Sequence, residues 1–124
     1  MKRFVIDCRE VRSFGDFVAA ANRGLIEHVG GSWNGNLDAL SDYLSWPAEK
    51  EYELEITASA QCARALGHGL IEAWLREHLA TCHPDNVPHF QARLAVARRA
   101  EGETLFDVIC GIITGSGSAQ LVLS

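Results

Sequence analysis

The chain has 124 residues, within the ~100–200 typical of one domain, and its composition of 48% hydrophobic and 22% charged residues with 3 prolines excludes extensive disorder. Its 16 acidic side chains outnumber its 11 basic ones, a formal charge of −5, which argues against binding nucleic acid or an anionic membrane through bulk charge and favours a basic partner. The opening Met1–Asp7 offers no signal-peptide core, and no stretch nears the ~18 apolar residues of a spanning helix, so a cytoplasmic protein with no membrane contact is expected.

In chain order, Phe4-Val5-Ile6 reads as a buried strand ended by Asp7. Ser13 and Asp16 have capping-box spacing, and Phe14, Phe17, Val18 and Ala21 recur at helical spacing, which predicts a first helix ending near Gly24. A loop dense in turn formers, Gly30 to Gly35, leads to Asn36 as the cap of a second helix with Leu37, Leu40 and Leu44 on its inner face; Pro47 lies just beyond it. Tyr52, Leu54 and Ile56 alternate with Glu53 and Glu55, the period of a strand with one buried face. Ser59 is expected to cap a short helix through Leu66, stopped by Gly67 and Gly69.

Leu70, Ile71, Trp74, Leu75 and Leu79 form an apolar stripe ended by Pro84, and Phe90, Leu94 and Ala97 continue it after Pro88, which predicts a helical hairpin. Leu105, Val108, Ile109, Ile112 and Ile113 make the last helical face, bounded by Thr104 and by a C-cap at Gly115, before a final strand at Leu121-Val122-Leu123. Strands alternating with helices predict one α/β domain over residues 1–124, with a three-stranded parallel sheet and helices covering its apolar faces.

The second helix carries Asp38 and Asp42 four residues apart on its outer side, with Ser41 beside them. Asp38 is favoured by the helix dipole; Asp42, near the C-terminal end, is opposed by both the dipole and Asp38. A solvated acidic face is the commoner reason for such a pair, and a functional site is the other. Trp33 and Trp46 flank the helix. Each suits an interface anchor or a half-buried lid over the core; Trp33, in the glycine-rich loop, is the better anchor, and Trp46, just before Pro47, is expected to be structural.

Enzymatic readings find little support. His78 and Cys82 stand at i, i+4, near His68, His83 and His89, but in no known zinc spacing, and no metal or cofactor is expected. Cys8, Cys62, Cys82 and Cys110 form no C-x-x-C pair and are expected as reduced thiols. Nothing in sequence raises the pKa of Asp38 or Asp42 for acid–base work, and Gly115-Ser116-Gly117-Ser118 follows a helix and lacks the lysine of a phosphate loop.

The stretch Gly35-Asn36-Leu37-Asp38-Ala39-Leu40-Ser41-Asp42-Tyr43-Leu44 resembles the barstar family of bacterial ribonuclease inhibitors, in which a glycine-containing loop runs into an Asn-Leu-Asp-Ala-Leu-x-Asp-x-Leu helix. The similarity extends to Phe4–Asp7, Val11–Ser13 and Asp16, to Tyr52–Ile56, and to Glu103–Thr114 with the terminal Leu121–Ser124, so it covers roughly residues 2–66 and 102–124. It implies a barstar-like α/β fold in which residues 67–101 are an inserted hairpin. It also implies an intracellular inhibitor, with a role in immunity to a nuclease toxin, that occupies a basic ribonuclease cleft and touches no nucleic acid itself.

The partner-binding residues so implied are Asp38 and Asp42 for charge, Trp33, Asn34, Gly35 and Asn36 in the loop, and Ser41 and Trp46 around the acids. The family's tandem loop aromatics correspond to Ser32-Trp33, and its aromatic position between the acids to Ser41. An acid that some members carry on the last helix corresponds to Gly111, with Asp107 one turn earlier as the available substitute. The alternative is a non-inhibitory interaction module using the hairpin, whose Arg93, Arg98 and Arg99 make it locally basic.

Overall fold

The alternation of Tyr52, Leu54 and Ile56 with charged neighbours is realised as the central strand of the sheet. The computed structural model of the chain describes residues 1–124. Strands β1 (Arg3–Asp7), β2 (Tyr52–Thr57) and β3 (Ala119–Leu123) lie side by side in that order, all parallel, with Phe4 opposite Leu54 and Leu54 opposite Leu121. Six helices surround them: α1 (Phe14–Ala21), α2 (Leu37–Leu44), α3 (Ser59–Ala65), α4 (His68–Thr81), α5 (Val87–Arg98) and α6 (Leu105–Gly115). The architecture is α/β, and no helix is long and apolar enough to cross a membrane.

Parallel sheets are usually covered on both faces. This one is covered on one. Phe4, Ile6, Tyr52, Leu54, Ile56 and Ala119 are buried, while the opposite face carries Arg3, Glu53, Glu55 and Gln120, with Arg3 bridging Glu53 and Glu55 at 2.7 and 3.3 Å. The glutamates of β2 explain the asymmetry, since burying them under a helix would strip their solvation. The buried residues form one continuous cluster, and Ile71, Leu75, Leu94 and Ala97 join α4 and α5 to it.

The first helix does not end near Gly24. It continues as a π-helical turn, Asn22–Ile26, and a 3-10 turn, Glu27–Val29, and stops at Gly30, whose φ is 86°. Gly24 is needed for close approach: a Cβ there would overlap the Val5 carbonyl oxygen of β1. The helix thereby lies directly on the outer edge of β1.

Other expected boundaries move for similar local reasons. Ser59 is inside α3; the capping position is Ala58, left-handed at φ 52°, with no side-chain cap. Gly69 is the second residue of α4, so Leu66 and Gly67 alone separate the two helices. Gly115 is the last residue of α6, and Gly117 at φ 75° makes the turn, helped by Ser116, whose hydroxyl donates to the Ile113 carbonyl at 2.7 Å. The arginines of the hairpin are neutralised internally: Arg93 pairs with Glu103, Arg98 with Glu72 and Arg99 with Glu101. The hairpin is therefore not a free basic surface.

Candidate functional site

Leu37, Leu40 and Leu44 of α2 are buried, which turns Asp38, Ser41 and Asp42 outward, all three exposed. The helix begins on a side-chain cap. The Asn36 Oδ1 accepts the backbone N–H groups of Asp38 and Ala39 at 2.8 and 3.2 Å, so the first-turn amides are satisfied from within. Asn34 in turn accepts the Asn36 N–H at 3.1 Å, and Gly35 between them sits at φ 97°, where a side chain would be strained.

Trp33 is not a surface anchor. Its side chain is packed into the core with 3% exposure, edge-on to Phe14 and Phe17, and its Nε1 donates to the Asn36 carbonyl at 2.7 Å. The indole is therefore an internal post that fixes the start of α2. Trp46 has the opposite fate: it is 49% exposed just past the end of α2 and packs edge-on against Tyr43 at 4.7 Å. The expected roles of the two tryptophans are exchanged, because the loop from Ser32 to Gly35 folds its only large apolar side chain inward.

Asp38 and Asp42 border an open polar hollow of about 420 Å³ with Ser32, Asn34, Asn36, Ala39 and Tyr43. Ser41 lies outside it. Tyr43, which sequence reasoning passed over, forms part of its wall; its hydroxyl donates to the Ser32 carbonyl at 2.8 Å, tying α2 to the loop, and Gly31 leaves room for its ring. The only signal for Tyr43 in sequence was its place beside Asp42. The arginine ion pairs of the chain engage Asp7, Glu53, Glu55, Glu72, Glu101 and Glu103, and leave Asp38 and Asp42 without a cation. Two like charges one turn apart, unpaired on a rigid helix, form a fixed negative field over the hollow.

Asp107 takes no part in this surface. Its carboxylate accepts the Thr104 N–H at 2.9 Å while the Thr104 hydroxyl accepts the Asp107 N–H at 3.2 Å, a complete capping box for α6. The histidines and cysteines of the hairpin are engaged locally: His78 Nδ1 contacts the Trp74 carbonyl at 3.1 Å, His68 the Gly102 carbonyl at 3.1 Å, and the Cys82 thiol donates to Leu79. Cys8 and Cys62 are fully buried, and the neighbouring Cys8 thiol, with burial, raises the Cys62 thiol well above the ordinary range. Burial pushes the Cys110 thiol up to about 11, so it too stays protonated at neutral pH.

Compared with protein-family models, with curated proteins and with solved structures, the chain finds no match in any of the three.

Proposed function

We propose that the protein is a reversible, non-catalytic inhibitor of a ribonuclease or related basic nuclease, barstar-like in mode, that presents α2 and its preceding loop to the enzyme's active-site cleft. The observation that carries this reading is the pair of unpaired carboxylates, Asp38 and Asp42, on the rim of an open hollow, set on a helix whose own N-terminus is already capped. A cleft of arginine, lysine and histidine built to hold phosphates attracts such a pair, which steers the encounter and then forms charge-assisted hydrogen bonds as water leaves. Exposed Trp46, packed on half-buried Tyr43, supplies aromatic surface at the C-terminal end of the helix. The resemblance of residues 2–66 and 102–124 to the barstar family supports the same assignment and a cytoplasmic, bacterial setting.

The test is inhibition of a panel of basic secreted bacterial ribonucleases by the wild type and by Asp42→Ala. Truncating a dominant interface acid costs at least ~2 kcal/mol, about thirtyfold in affinity, and wild-type binding weakens as salt rises. Inhibition unchanged in Asp42→Ala, or no ribonuclease inhibited by the folded protein, overturns the reading.

A second reading rests on a groove of about 350 Å³ on the hairpin, between α4 and α5, with Ile71, Leu75, Ala92, Val96 and Ala97 in its floor. In that reading the protein is a non-inhibitory interaction module. Val96→Glu then abolishes partner binding and Asp42→Ala leaves it intact.

A further inference from the structure

Helix α4 stands beside the N-terminal end of α2, at Asp38, and forms a narrow trench with it. Gly35, Leu37 and Asp38 line one side, and Trp74, Glu77 and His78 the other, around a volume of about 110 Å³. An apolar continuation of about 180 Å³ runs on past Trp74 to Phe14, Leu70 and Leu105. Asp38 also borders the acidic hollow, so the trench and the hollow share a rim.

Trp74 and Glu77 are three residues apart on α4 and so share a face, which the packing of α4 against the core turns toward Asp38. The Trp74 ring is held in place: the His78 ring packs against it, tilted, at 4.2 Å, with its Nδ1 tied to the Trp74 carbonyl, and the Arg93 guanidinium lies 5.6 Å from its centre while pairing with Glu103. No arginine of the chain pairs with Glu77 or Asp38; Arg76, the nearest in sequence to Glu77, is taken by Glu72 at 2.6 Å. Two acidic residues on different helices, lining a polar trench that opens onto an apolar continuation beside Trp74, suit one long-stemmed cation: the stem covers the apolar part and the charged head lies near the acids. The trench itself, about 110 Å³, is far below the ~300–1,000 Å³ of small-molecule sites, which fits the head of a single side chain. Arginine is favoured over lysine, because its planar fork spans two carboxylates and stacks on indole.

We propose that this trench is the seat of one arginine side chain of the protein partner, and that α4 is thereby a specificity element of the acidic face. The inference rests on the reading of Asp38 and Asp42 as a partner-binding surface. It gives Glu77 and Trp74 a role in choosing among basic partners: those with an arginine beside the residues that meet Asp38 gain an additional contact, and those with an acid there are repelled.

The experiment is a titration of the isotope-labelled full chain, at low salt, with N-acetylarginine amide and with N-acetyllysine amide, followed by NMR. Expected are saturable shifts of the Trp74 indole and of the Asp38 and Glu77 amides with the arginine probe, weakened about tenfold in Glu77→Gln, whose exposed position preserves the fold. Equal response to the lysine probe, or shifts spread over all exposed carboxylates and unchanged in Glu77→Gln, overturns the seat. The same variant, measured on a nuclease whose inhibition Asp42→Ala destroys, separates the two ideas: undiminished inhibition by Glu77→Gln removes the trench alone. An intact arginine seat with no nuclease inhibited removes the inhibitory reading instead.

Discussion

Asn22 holds Trp33 by both sides of its peptide: its Nδ2 donates to the Trp33 carbonyl at 2.9 Å, and its Oδ1 accepts the Trp33 N–H at 2.8 Å. The same amide also donates to the Val18 carbonyl at 3.0 Å, so one side chain at the π-helical turn ties α1 to the loop that starts α2. Irregular helix turns leave backbone groups to be satisfied by such side chains, and here that need sets the position of the acidic helix.

Asn22→Ala removes three hydrogen bonds around a half-buried loop and leaves the Trp33 N–H and carbonyl without partners. The expected loss is about 1–3 kcal/mol in urea unfolding, with a shifted Trp33 indole resonance. An unchanged unfolding midpoint contradicts the bridging role.

The two tryptophans are expected to respond in opposite ways. Trp33→Ala empties a buried site and removes the indole's hydrogen bond to the Asn36 carbonyl, for a loss of about 3–5 kcal/mol. Trp46→Ala, at a side chain 49% exposed, stays within about 0.5 kcal/mol of wild type. Chemical denaturation of the pair decides this, and it sinks the exchange of roles if Trp46→Ala is the more damaging.

Gly24→Ala directs a methyl into the Val5 carbonyl, where neither backbone can yield cheaply. It is expected to cost about 3 kcal/mol or more, or to prevent folding. Gly15→Ala, in α1 with its nearest neighbour at 3.8 Å, is expected to be neutral or to stabilise by some tenths of a kcal/mol. Thermal melts of both variants test whether the helix-to-strand contact sets the difference.

Tyr52 gives a pH dependence whose sign is fixed by its burial. Its hydroxyl donates to the Leu44 carbonyl at 2.6 Å, and burial pushes its pKa from 10.0 up to about 12. The folded state keeps the proton longer than the unfolded one, so this stabilisation is whole below pH 10 and is lost as pH rises toward 12. Between about 2 and 3 kcal/mol is at stake, and Tyr52→Phe removes this part of the alkaline slope. Parallel slopes for the two proteins over that window refute the assignment.

Local order was legible wherever it depends on neighbours in sequence. The leucine spacing of α2, the Thr104 cap, the prolines of the hairpin and the alternation of β2 each name their element without help from the rest of the chain. The outward placement of Asp38 and Asp42 follows from the same arithmetic, because a helix of known register has only one way to bury Leu37, Leu40 and Leu44. The roles of individual glycines were not legible this way. Gly24, Gly69 and Gly115 looked like stops and lie inside helices or helical turns, since a glycine serves a close approach as well as a termination.

By itself, then, the sequence determined an α/β chain of parallel strands, the faces of its regular helices and an acidic stripe on α2, all from periodicity, which is a property of residues a few positions apart. Only the tertiary structure decided that Trp33 turns inward and Trp46 outward, that one face of the sheet stays open, and that α4 brings Glu77 and Trp74 alongside Asp38. Those outcomes depend on which loop backbone finds which side chain, Asn22 with Trp33 above all, and on surfaces meeting across tens of residues of chain. Burial and charge choose among such meetings by the solvation each one costs, and no window of neighbouring residues contains that comparison.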